Sequence, residues 1–278
     1  MIPSILADFR SKASFPKSDE VDLFRNLALA IVKHSQSTFV DETHGKICNV
    51  SFTSVTGRPE TCEIGDLLIF SCAADGTLRA TFWQAKKQNK SKWLDATTGN
   101  EHFDFDGQFN QWDLLCRRPA ISGVGSFLPP SNLLSSFASA SIGSFGVFYQ
   151  RGSRIEVSHA VAEFVACHNP MVKHPKMSIN GYLGKYYYLG GEIIARPTLD
   201  SFLGALFAQQ VGALLNPAER AHRWLVQYVR SKVSRIQGNA ANLRALDRFL
   251  GDNPPIDDAL GTPGDGLSVL IIGGQNEA

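Results

Sequence analysis

The sequence predicts a mixed α/β fold: one amphipathic helix, then three strands, a second helix and a fourth strand. Three observations carry this. Val21, Phe24, Leu27, Ala28, Ile31 and Val32 recur at helical spacing. Residues 47–54, 66–70 and 78–86 are apolar or alternating runs of strand length, separated by turn formers. With 44% hydrophobic and 19% charged residues in 278, the chain has material for a packed core and too little charge for a disordered tail.

Taken in order, residues 1–17 read as an irregular arm. Ser18 stands where a helix cap is needed. Asp19, Glu20 and Asp22 then occupy a first turn whose dipole favours acids, so a helix is expected over 18–36. Gly57-Arg58-Pro59 breaks the first strand, and Ala74-Asp75-Gly76 turns the second into the third. Residues 108–118 place Phe109, Trp112, Leu115 and Cys116 on one side of a helix that Pro119 stops. A short helix is expected within the serine-rich 131–141, and a fourth strand at 145–150.

Further on, 186–195 read as a strand or loop pair around Gly190-Gly191. Residues 198–215 and 217–236 read as helices, 253–266 as a loop and 267–272 as a buried strand. The expected organisation is a core domain over 1–150 and a largely helical extension over 151–278. The absence of a linker argues for a body continuous with the core, and a separate domain stays open.

Composition excludes several function classes. Lys plus Arg is 27 and Asp plus Glu is 26, a net charge of +1, which rules out coating nucleic acid by bulk charge but not a local basic groove. The 5 cysteines contain no Cys-x-x-Cys pair, which excludes a disulfide framework and a zinc ribbon and fits a reducing compartment. The first residues lack a basic-then-apolar leader. The uncharged stretches 119–150 and 201–218 are interrupted by prolines, serines and glutamines, so neither reads as a membrane span. A cytoplasmic protein without membrane contact is expected. No Gly-x-x-x-x-Gly-Lys-[Ser/Thr] loop and no Gly-x-Ser-x-Gly elbow is present.

The chemistry concentrates in Glu63-Ile-Gly-Asp66-Leu-Leu-Ile-Phe and Arg79-Ala-Thr-Phe-Trp-Gln84-Ala-Lys86-Lys87. An acid opens one apolar strand, and the next strand ends in Gln-x-Lys. Residues two apart in a strand share a face, so Gln84 and Lys86 project together. A hairpin would bring Asp66 beside them. A carboxylate, an amide oxygen and an ammonium at one sheet edge suit phosphodiester cleavage. The oxygens hold a hard cation such as Mg²⁺ or Mn²⁺, the cation activates water, and the lysine orients that water or stabilises the transition state. A backbone carbonyl at residue 85 is placed to add a ligand.

These residues, with the order helix–strand–strand–strand–helix–strand over about residues 18–150, resemble the PD-(D/E)xK nuclease superfamily in its Gln-x-Lys form. The resemblance implies a restriction-endonuclease-like αβββαβ core with a helical C-terminal half. It implies a metal-dependent endonuclease with Asp66 and Gln84 as ligands, Lys86 as the catalytic ammonium, and a carboxylate from the first helix, Glu20 before Asp22. It departs from the family pattern at Gly65, where a proline would stand, and at Gln84, where a second acid would. The chain is also similar to nuclease subunits of bacterial anti-phage systems, through residues 111–119. That likeness implies defence against foreign DNA and a partner such as an ATPase or sensor subunit. RNA is not separated from DNA as substrate, an oligomer stays open, and the alternative is a non-catalytic scaffold or binding subunit of such a complex.

Other groups read more blandly. The run from Lys86 through Lys87, Lys90 and Lys92 is either a solvated face or, following a strand, the border of a phosphate groove. Arg220, Arg223, Arg230, Lys232 and Arg235 read as the outer face of a helix. Glu163, Glu192 and Asp200 read as surface residues. His159, Cys167, His168 and His174 fit no standard zinc spacing.

Overall fold

The computed structural model describes residues 1–42, 48–88, 102–180, 188–189, 191–236, 238–251, 256 and 266–273. Two helices come first, α1 (Ile2–Lys12) and α2 (Glu20–His34). The strands β1 (Thr38–Val40), β2 (Asn49–Thr53), β3 (Pro59–Glu63), β4 (Leu67–Cys72), β5 (Leu78–Lys87) and β6 (His102–Asp106) follow. Next are α3 (Phe109–Arg117), β7 (Ile121–Gly123), β8 (Gly143–Arg151), β9 (Arg154–Val161), β10 (Val165–Cys167) and β11 (Lys176–Asn180). Three short strands, β12 (Tyr188–Leu189), β13 (Glu192–Ile193) and β14 (Ala195–Arg196), lead to α4 (Leu199–Phe207). The chain closes with β15 (Ala213–Leu214), α5 (Arg220–Arg235), α6 (Ala240–Leu250) and β16 (Ser268–Ile272).

The first 17 residues are not an irregular arm. Pro3 stands in the first turn of α1, where its missing N–H costs nothing, and Ile5 and Phe9 are wholly buried. α2 begins two residues later and ends two residues earlier than the expected 18–36. Asp19, not Ser18, is its cap: the Asp19 carboxylate accepts from the Asp22 N–H at 2.8 Å, and the Asp22 carboxylate accepts from the Asp19 N–H at 3.4 Å. Phe24, Leu27, Ala28 and Ile31 of the expected stripe are buried; Val21 and Val32 are only partly so, and Leu23 and Ala30 join the buried face.

The central sheet runs β1-β16-β4-β5-β8-β9-β14, with β15 added beside β5. β4 is buried along its whole length, as a strand covered on both faces must be. Leu68 and Phe82, with Phe145 and Val147 of β8, belong to a core shared with α3, α5 and α6. Leu67 and Trp83, one residue out of step with them, belong to a second core with α1, α2 and α4, which Phe148 enters from β8. The Trp83 indole lies across Gly146 of the neighbouring strand, where an added Cβ would fall 1.5 Å from the ring.

Two expectations about organisation are corrected. The strand expected at 47–54 is not a neighbour of β4: β2 joins β3 and β7 in a separate three-stranded sheet. The place beside β4 is taken by β16, parallel to it, from the far end of the chain. The second half is not largely helical either. It supplies β9, β14, β15 and β16 to the central sheet, and β10 and β11 to another with β6. A boundary at residue 150 would fall inside β8, whose register with β9 runs from Ser144↔Val161 to Arg151↔Arg154. The architecture is mixed α/β. Among the described residues no helix is long and apolar enough to cross a membrane.

Candidate active site

β4 and β5 are antiparallel, with Leu67 opposite Trp83. The Asp66 N–H donates to the Trp83 carbonyl at 3.1 Å, the last rung of that ladder. Beyond it β5 runs on alone on this side, while its other side stays paired with β8 as far as Lys87↔Phe148. Two carboxylates fill the rungs that β4 vacates. The Ala85 N–H donates to Asp66 Oδ2 at 2.7 Å, and the Lys87 N–H donates to Glu20 Oε1 at 3.0 Å. Backbone groups turned towards a strand's missing neighbour need such partners. Strand alternation turns the Ala85 carbonyl to this same side.

The side chains of Gln84 and Lys86 leave β5 on one face. Gln84 Nε2 donates to Asp66 Oδ2 at 2.5 Å. Lys86 is 5% exposed, and its Nζ lies 3.9 Å from Glu20 Oε2. Asp66, Gln84, Lys86 and Glu20 are thus brought together where β4 begins and β5 ends, with Glu20 delivered by the first turn of α2.

The electrostatics are those of a crowded acidic centre. Burial pushes the Asp66 carboxyl up to about 6. The Lys86 ammonium, the Ala85 N–H and the Gln84 amide pull it down, and Glu20 pushes it further up. Glu63, at the end of β3, is raised to about 7, first by burial and then by the negative charge of Asp66, with Lys86 opposing. Glu63 is a residue that the sequence motif does not single out. An acid at the end of a strand, three residues before Asp66, is too ordinary a feature to mark it in the sequence.

Gln84 is 1% exposed, yet its Oε1 has no hydrogen-bond partner. A buried amide oxygen without a donor costs free energy that a bound cation would offset. The donors here are all oxygens, which suits Mg²⁺ or Mn²⁺ over zinc. The residues therefore fit a hard divalent cation held by Asp66 and Gln84. Among the described residues no group of three His, Cys, Asp or Glu forms a ready-made metal cage.

Other candidates are not brought to the site. Lys87 points to the opposite face of β5. Its Nζ donates to the Ser18 carbonyl at 2.7 Å and lies 5.0 Å from the centre of the Phe15 ring. This lysine fastens the α1–α2 joint, so its reading as a groove residue is corrected. Lys90 and Lys92 lie outside the described residues. His159 is buried in the sheet, stacks on Phe202 at 5.0 Å and is pushed down to about 3 by burial, so it is a neutral core residue.

Two surface assignments also change. Lys232 is buried, with its Nζ 2.9 Å from Glu42 Oε1 and 5.1 Å from the Tyr228 ring centre, and is not part of a solvated face. Glu192 is buried among Arg79, Ser139 and Ser141. No protein-family model, no curated protein and no solved structure matches this chain.

Proposed function

We propose that the protein is a divalent-cation-dependent endonuclease acting on DNA. The observation that carries this reading is the meeting of Asp66, Gln84, Lys86 and Glu20 at one sheet edge, with the Gln84 carbonyl oxygen buried and unpartnered. Asp66 and Gln84 would hold the cation. When bound there, the cation supplies Lewis-acid neutralisation of phosphate charge and lowers the pKa of a water. The Lys86 ammonium, on the same strand face as Gln84, is positioned to donate to a phosphate oxygen or to orient the attacking water. Glu20 steadies that ammonium and holds the end of β5 through the Lys87 N–H.

One observation favours a second reading. The Gln84 amide already closes onto Asp66, as it would in a scaffold that has lost catalysis. Incubating the full chain with plasmid DNA, linear DNA and RNA, in Mg²⁺ or Mn²⁺ and in EDTA, separates the two. Cation-dependent cleavage that disappears in Asp66→Asn supports the nuclease, and DNA or RNA is decided by which substrate is cut. No cleavage of any substrate leaves the scaffold. A role in defence against foreign DNA, beside an ATPase or sensor subunit, rests on the sequence resemblance.

A further inference from the structure

We propose that Glu63 supplies the negative charge that an amide at position 84 withholds, making it a positioning residue of the cation centre. This rests on the reading of Asp66 and Gln84 as cation ligands. Three observations support it.

The first is charge. Gln84 is neutral, so the pair Asp66 and Gln84 carries one negative charge. A hard divalent cation is held chiefly by carboxylates and waters, and its affinity follows ligand charge. Among the described residues, three carboxylates (Glu20, Glu63 and Asp66) interact with one ammonium, that of Lys86. Once a cation has drawn the protons off Glu63 and Asp66, three negative charges against one positive leave two, the charge a divalent cation balances.

The second is position. Glu63 closes β3, and only Ile64 and Gly65 separate it from Asp66. The connection is held by the Ile64 N–H donating to the Cys48 carbonyl at 3.1 Å and by Gly65 packed against Phe82 and Trp83 of β5. Glu63 thus approaches the centre from the β2-β3-β7 sheet, whereas Glu20 arrives from α2. Among the described residues its half-buried carboxylate has no hydrogen-bond or ion-pair partner. A carboxylate kept from water without a cation is expensive unless something else neutralises it.

The third is independent of the acids. The buried Gln84 Oε1 lacks a donor while its Nε2 is bound to Asp66, so an oxygen acceptor without a partner lies beside the Asp66 carboxylate. The same cation would satisfy Gln84 Oε1 and relieve Glu63.

The test is Mn²⁺ binding to the purified full chain by isothermal titration calorimetry, with folding checked by circular dichroism. The wild type is expected to bind Mn²⁺, and Asp66→Asn to lose it. Glu63→Gln should weaken binding by about 10-fold to about 100-fold, the range for groups that act on a metal through its ligands. The double variant Glu63→Gln/Gln84→Glu moves the charge rather than removing it and should recover most of the affinity. A merely structural role for Glu63 would give no such rescue. If the wild type and Asp66→Asn behave as expected while Glu63→Gln binds like the wild type, the role of Glu63 is overturned and the endonuclease reading stands. If the double variant folds but binds no better than Glu63→Gln, charge compensation is overturned too. If the wild type takes up no Mn²⁺, the cation centre itself is wrong.

Discussion

Replacing Asp66 by asparagine should stabilise the cation-free protein at alkaline pH. The Asp66 carboxyl is raised from 3.8 to about 6 by burial, so the folded state holds this proton more tightly than the unfolded chain does. Well below pH 3.8 the group is protonated in both states and contributes nothing. As pH rises through the window from 3.8 to about 6, the folded state must give up a proton it holds tightly, and stability falls. The penalty is complete above that window. At about 1.4 kcal/mol per pH unit, the shift corresponds to about 3 kcal/mol. Asp66 retains some exposure to solvent and shares its repulsion with Glu63, so about 2 kcal/mol is the working figure.

The new amide would keep a carbonyl oxygen to accept from the Ala85 N–H and the Gln84 side chain, so the substitution removes the charge and little else. Urea unfolding in EDTA at about pH 5 and about pH 8 measures the effect. The wild type should be less stable at the higher pH, and Asp66→Asn should gain about 2 kcal/mol there and about half as much at the lower pH, which lies within the window. Saturating Mg²⁺ should restore the wild type alone, because a ligand of the folded state adds its binding free energy to stability. A variant that is destabilised at the higher pH, or shifted equally at both, would refute the claim that this carboxylate is held at a cost.

Other substitutions probe neighbouring claims. Lys86→Ala should lower cleavage by about 10²-fold to 10³-fold while Mn²⁺ binding persists, as loss of a group acting on the transition state would. Wild-type turnover in that variant would hand the case to the scaffold reading. Lys87→Ala should leave DNA affinity and its salt dependence unchanged but cost about 1 kcal/mol in thermal or urea unfolding, through loss of the Ser18 and Phe15 contacts. A flattened salt dependence would return Lys87 to the substrate groove.

The features legible in the chain alone are local ones. The stripe of α2, with its acidic first turn, follows from spacing and the helix dipole. The β4–β5 hairpin follows from two apolar runs around Ala74-Asp75-Gly76, and its register is what sets Asp66 beside Gln84. The period of two also places Lys86 with Gln84 and, applied one residue further, turns Lys87 away.

Pairing between distant segments settled the rest. β16 is invisible as the partner of β4 because a parallel pairing between remote stretches leaves no trace in either one. The same holds for β2 leaving the central sheet and for β9 and β14 joining it. Lys232 and Glu192 look like surface charges until Glu42 and Arg79 arrive from elsewhere in the chain. Glu63 belongs to this class as well. Its residue type is ordinary at the end of a strand, and it acquires meaning only when the fold sets it near Asp66 and Lys86, where desolvation and charge make its ionisation unfavourable.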